Sequence, residues 1–152
     1  MKKAWPPGLL RFAMEIKVLS VRGLTLISEI VNLHNKVWEN STGIIDLLKN
    51  SSRCFYVRQN KVLVGYAFVE EDRARGFAEL QDLAVSRGFR GKGIGKSLVK
   101  AAMNHYACIK LIARADNKPL VRLYKDFGFT VEYRIENYYE IGRDGLRMSW
   151  SR

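Results

Sequence analysis

The sequence predicts an α/β domain, in which a mixed, mostly antiparallel sheet of six to seven strands is flanked by four helices. Three observations point there. Short segments that alternate apolar and polar residues are interleaved with segments whose apolar residues recur at helical spacing. Their order, β-α-α-β-β-β-α-β-α-β-β, suits one sheet covered by helices on both faces. Between the middle strand and a helix lies a glycine-rich turn, Arg90-Gly91-Lys92-Gly93-Ile94-Gly95-Lys96.

The elements follow in chain order. Residues 1–13 read as an irregular leader, because Pro6-Pro7-Gly8 interrupts regular backbone, and residues 14–152 read as one domain. Glu15–Ser20 alternates, with Ile16 and Val18 on one face, and reads as a strand that Gly23 ends. Leu24–Trp38 places Leu24, Ile27, Ile30, Val31, Leu33 and Val37 near helical period. Gly43–Asn50 is expected to form a second, short helix. Phe55–Arg58 and Val62–Val69 are rich in β-branched and aromatic residues and read as a hairpin around Gln59-Asn60-Lys61. After the polar turn Glu71–Gly76, Phe77–Val85 is a third antiparallel strand. Ile94–Tyr106 is a helix with Ile94, Leu98, Ala101 and Ala102 on one side and Lys96 and Lys100 on the other. Cys108–Ala113 is a short apolar strand. Asn117 or Asp116 caps a further helix, Pro119 occupies its first turn and Gly128 ends it. Phe129–Ile135 and Leu146–Trp150 close the domain as strands.

Composition narrows the function. Of 152 residues, 47% are apolar and 27% charged, a globular balance that excludes disordered and fibrous chains. No run approaches the roughly 18 apolar residues of a membrane span, so no membrane partner is expected. Lys and Arg number 26 against 15 Asp and Glu, a net charge of +11 that calls for an anionic partner. Nucleic acid is not expected to be that partner, because no helix-turn-helix, RNP-type or zinc-knuckle pattern occurs. Cys54 and Cys108 form no CxxC pair and have only His34 and His105 to join them, so no metal site is expected. Both cysteines sit in apolar runs and read as core. The opening segment lacks the apolar stretch of a secretory signal, so a cytoplasmic protein is expected.

The glycine-rich turn carries the chemistry. Glycines bare the backbone N–H groups, and these join a helix N-terminus to attract phosphate. Arg87, Arg90, Lys92 and Lys96 add charge. Two common phosphate motifs each miss by one residue. Gly95-Lys96-Ser97 could end a Walker loop, but position 90 is Arg; Gly91-Lys92-Gly93 could open a dinucleotide fingerprint, but position 96 is Lys.

A third pattern fits. Arg90-x-x-Gly93-x-Gly95, preceded by Asp82-Leu83-Ala84-Val85, resembles motif A of the GNAT acetyltransferases. Asn117 followed by Leu123-Tyr124-x-x-x-Gly128-Phe129 resembles a second motif of that family, with Val121 near its usual small residue. The likeness spans about residues 15–151 and the element order agrees with the GNAT fold. The branch most alike acetylates protein N-termini, including those of ribosomal proteins; it shares Asn137-Tyr138-Tyr139 and the ending Gly142–Met148.

The resemblance implies direct acetyl transfer from acetyl-CoA, a co-substrate, to an amine, with no metal. It implies that backbone from Arg90 through Gly91, Lys92, Gly93, Ile94 and Gly95 to Lys96 holds the pyrophosphate. It also implies that Leu83, Ala84 and Val85 pair with the pantetheine arm and that Asn117 touches the cofactor. Tyr124 is the candidate general acid, since a phenol with pKa near 10 can protonate a departing thiolate. The related branch places Glu where this chain has Ile112, so the candidate bases are Glu79 and Asp82, with Glu79 acting through water preferred. Tyr138, Tyr139 and Glu39, with Asp46, are candidate acceptor contacts. The expected acceptor is a protein or peptide amine, at an N-terminus or a lysine. The alternatives are a small amine such as a polyamine, amino acid or aminoglycoside, or a non-catalytic sensor of acyl-CoA. A monomer or a homodimer is expected.

Overall fold

The computed structural model describes residues 16–19, 24–37 and 53–152. Its elements are β1 (Ile16–Leu19), α1 (Leu24–Val37), β2 (Arg53–Gln59), β3 (Val62–Asp72), β4 (Phe77–Val85), α2 (Ile94–His105), β5 (Cys108–Arg114), α3 (Lys118–Asp126), β6 (Thr130–Glu140) and β7 (Arg143–Ser151). The expected helix at Gly43–Asn50 and the leader lie outside the described residues. The seven strands form one sheet in the order β1-β2-β3-β4-β5-β7-β6. Only β4 and β5 pair in parallel among the described residues.

Helices bury opposite faces of this sheet. Leu26, Ile30 and Leu33 of α1 pack on Cys54, Tyr56, Tyr66, Phe68 and Ala84. On the other face, Ile94, Leu98, Val99 and Ala102 of α2, with Val121 and Tyr124 of α3, pack on Val64, Val69, Leu80, Ile109, Leu111 and Met148. Each Val, Leu, Ile, Phe or Met among them contributes about 1.5–3 kcal/mol by leaving water. The start of α2 sits directly on β3, because Gly65 has no side chain. A Cβ there would lie 2.9 Å from Ile94 Cγ2 and 3.2 Å from the Ala84 carbonyl oxygen.

Two local departures from ideal strands matter. The β2–β3 hairpin turns on Asn60 and Lys61 alone, both with positive φ, so Gln59 belongs to the strand. In β4, Phe68 faces Asp82 while Val69 faces Leu80, which leaves Gln81 as a bulge. The bulge reverses the alternation. Ala78 and Leu80 face the α2 side, whereas Asp82 and Ala84 face α1 together with Glu79.

β6 is longer than its sequence predicts, and nearly every side chain on it is exposed. It is an edge strand held by β7, so it lacks the alternating burial that would have revealed its full extent.

Candidate active site

β4 and β5 lie side by side for three residue pairs, from Ala78–Ile109 to Leu80–Leu111. Beyond these, β4 stays on β3 as far as Val85, and β5 stays on β7 as far as Arg114. The strands therefore part, and Leu83–Val85 keeps a strand edge facing the gap without a ladder partner among the described residues. A cavity of about 1260 Å³ occupies this region.

Most of the residues expected to bind the cofactor border it, Tyr124 excepted. Leu83, Ala84 and Val85, the whole stretch from Arg90 to Lys96, and Asn117 all border it. Sequence reasoning missed Val37, Gln59 and Phe89, and the face of α3 formed by Pro119, Leu120 and Leu123. Leu120 and Leu123 also pack against the core.

The mouth of the cavity is built to receive an anion. Gly93 precedes α2 with φ 82°, a left-handed conformation suited to glycine, and no side chain caps the helix. The first N–H groups, from Ile94 to Lys96, have no intrahelical acceptors and stand beside two lysines. Lys92 Nζ rests 5.1 Å above the Phe89 ring. Arg90 does something different: its Nε donates to the Val85 carbonyl oxygen at 3.0 Å, tying the turn to the end of β4. Asn117 caps α3 by accepting from the Leu120 N–H at 3.3 Å. These features fit a phosphate-bearing carrier with an extended arm.

Tyr124 lies in the core, 4% exposed, with its ring 5.5 Å from that of Phe129. Burial holds its phenol well above the usual tyrosine range, and Tyr139 and Asp82 add to the effect. Its hydroxyl has no hydrogen-bond partner among the described residues.

Tyr138 and Tyr139 stand edge to face with centroids 4.9 Å apart. The Tyr139 hydroxyl donates to the Ile112 carbonyl oxygen at 3.0 Å, and burial pushes its pKa up to about 12. Tyr138 packs over Gly145, where a Cβ would lie 3.1 Å from the Tyr138 Cβ and 2.7 Å from Ile112 Cγ2. Ile112, which departs from the related branch's glutamate, thus supports the aromatic pair. Glu39 and Asp46 lie outside the described residues.

Glu79 is placed apart from the cavity lining. Both of its oxygens accept from the Arg147 guanidinium, at 2.5 and 2.9 Å. The charge of Asp82 raises both the Tyr124 and the Tyr139 phenol. Among the described residues no three His, Cys, Asp or Glu side chains gather to hold a metal ion. No helix among them is long and apolar enough to cross a membrane.

The open start of α2 and the bare edge of β4 thus border one cavity, while the buried Tyr124 side chain lies outside its lining. The acetyltransferase (GNAT) family model matches residues 25–129, and the chain belongs to that family. It is an acetyl-CoA-dependent N-acetyltransferase. It is 30% identical to an uncharacterized N-acetyltransferase of Methanocaldococcus jannaschii, over 89% of this chain and 90% of that one. It is 37% identical to N-alpha-acetyltransferase 30 of Xenopus laevis, over 51% of this chain and 30% of that protein. A spermine/spermidine N(1)-acetyltransferase of Bacillus subtilis is 26% identical over 65% of this chain and 87% of its own. The ribosomal-protein-S18-alanine N-acetyltransferase of Escherichia coli shares the fold, with a TM-score of 0.79 at 19% identity, over 90% of this chain and 94% of that one.

Proposed function

We propose that the acceptor is the amine of a protein or peptide, at an N-terminus or a lysine. One observation carries this reading. Four acidic side chains, one each on β4, β6 and β7 and one just after β5, stand in ion pairs. Arg147 holds Glu79, Lys110 holds Glu132 at 3.2 Å, Arg114 holds Asp116 at 2.7 Å and Arg134 holds Asp144 at 2.6 Å. A polyamine, with several cations, needs several free carboxylates. An apolar aromatic wall with balanced charge suits a peptide instead. The Xenopus relative is named for N-alpha acetylation and supports the same reading. The Bacillus relative supports the second reading, a polyamine acceptor.

In the proposed mechanism, the N–H groups at the start of α2 hold the pyrophosphate, and Lys92 and Lys96 neutralise it. The edge of Leu83–Val85 aligns the arm as an added strand and offers a backbone N–H to the developing oxyanion. Bound acetyl-CoA supplies an activated thioester. Tyr138 and Tyr139 flank the entering amine. Tyr124 gives its proton to the departing sulfur, a transfer suited to a phenol that burial keeps protonated.

The test is thiol release from acetyl-CoA against peptides with free N-termini, peptides with a single lysine, and spermidine. Peptide-dependent release with acetylated peptide in the product is the expected result. Faster turnover of spermidine would favour the second reading, and acetyl-CoA binding without turnover on any amine would point to a sensor.

A further inference from the structure

Gln59, the last residue of β2, borders the same cavity as the whole stretch from Phe89 to Lys96. The direction of its side chain follows from its neighbours. Tyr56 packs against α1, and Arg58 Nη2 donates to Glu29 Oε2 of α1 at 2.8 Å. Phe55 and Val57 belong instead to the core under α2. The two faces alternate along β2 without interruption, because the extra residue where the register shifts, Val64, lies on β3. Gln59 therefore projects on the α2 face, where that helix begins with open N–H groups.

The backbone fixes this placement. β2 and β3 join through Asn60 and Lys61, with φ 49° and 66°, a tight turn whose two central residues are both left-handed. Gln59 pairs with Val62 across that turn. β3 also carries the glycine-rich side. The Ser86 N–H donates to the Val64 carbonyl oxygen at 2.9 Å, and Ile94 sits against Gly65. One strand thus sets the spacing between Gln59 and the phosphate turn. Gln59 is half-buried, and its carboxamide has no hydrogen-bond partner among the described residues. A half-buried amide without a partner on a cavity wall is free to bond a ligand. Lys92 and Lys96 border the same cavity, so the ligand group drawn there is anionic and the amide turns its N–H2 end to it.

We propose that Gln59 is a further binding residue for the acyl carrier. Its side-chain N–H2 donates to the diphosphate from the β2–β3 turn and sharpens selection of the full carrier over one without phosphate. This rests on the acetyltransferase reading above.

The test follows thiol release with saturating peptide from acetyl-CoA and from S-acetyl-pantetheine, which keeps the thioester and the arm but lacks the diphosphate and nucleoside. The readout is the ratio of the two kcat/KM values. Gln59→Leu removes the donor and should lower that ratio by about tenfold, the worth of a hydrogen bond to a charged group. Gln59→Glu should lower it further, and the added loss should shrink at high salt. Arg58→Gln changes the charge by the same amount one residue away, on the α1 face, and should keep the parental ratio. A folded Gln59→Leu or Gln59→Glu enzyme with the parental ratio overturns the proposal; should one variant not fold, the other decides. Equal losses on both carriers overturn it too, since they mark a structural role. So does an Arg58→Gln ratio that falls as far as that of Gln59→Glu, because the effect is then one of net charge. If the parent chain releases no thiol from acetyl-CoA with any amine, the acetyltransferase reading fails and takes this inference with it.

Discussion

Tyr124 and Glu79 show how much a single side chain's role depends on its surroundings. The Leu-Tyr-x-x-x-Gly-Phe context was legible in the sequence, and the structure buries that phenol against Phe129 with its pKa raised. Tyr124→Phe removes only the proton donor. It should lower kcat by about 100-fold while leaving acetyl-CoA affinity unchanged, as measured by steady-state kinetics and calorimetry. An unchanged kcat would remove the acid role. The carboxylates on β4 were equally visible, but their facing was not. One extra residue in a strand reverses every later side chain, and no residue type near Gln81 announces that extra residue. Arg147, which holds Glu79, comes from 68 positions further along the chain, beyond any local pattern.

Among the elements, those with strong periodicity or clear caps were read well. Phe77–Val85 and the α3 start at Asn117 fall where the sequence places them. The parting of β4 from β5 was not readable, because it depends on which strands pair and for how long. The insertion of β7 between β5 and β6 was likewise hidden. That arrangement brings Gly145 of β7 against Ile112 of β5 and Tyr138 of β6. Gly145→Ala forces a Cβ to within 2.7 Å of Ile112 Cγ2, and this branched neighbour has little room to yield. The variant should lose about 1–3 kcal/mol of stability in denaturant melts. Its KM for the peptide should rise while acetyl-CoA affinity holds, because the aromatic wall moves and the α2 mouth does not.

For the whole molecule, buried and half-buried acids shape stability at alkaline pH. Burial, with Asp82 adding, pushes the Cys54 thiol from 9.0 up to about 12, and Tyr106 and Tyr139 rise from 10.0 to about 12. All three stay protonated in the folded chain while the unfolded chain loses protons. Their contribution to stability is therefore complete below pH 9 and is lost as pH rises from 9 to 12. Unfolding free energy should fall across that window by about 1.4 kcal/mol per pH unit as Cys54 titrates, and by less for Tyr106 and Tyr139, which solvent screens. Cys54→Val should flatten the first part of that decline in urea titrations.

The charge of +11 suggests an anionic partner, and the proposed acetyl-CoA cleft gives that charge a place to act at the start of α2. Gly95 offers the most direct test of this claim. A Cβ there would meet only Val85 Cγ2, at 3.9 Å, so alanine fits the fold. It should also stiffen the helix, by about 0.5–1 kcal/mol. The same methyl, however, stands on the cavity lining where the phosphates would approach. Calorimetric titration of acetyl-CoA into the parent chain and into Gly95→Ala should show a variant that melts no lower than its parent yet binds about tenfold more weakly, a loss of about 1.4 kcal/mol. A parent chain that does not bind, or a variant that binds as tightly as its parent, would contradict the assignment of this cleft.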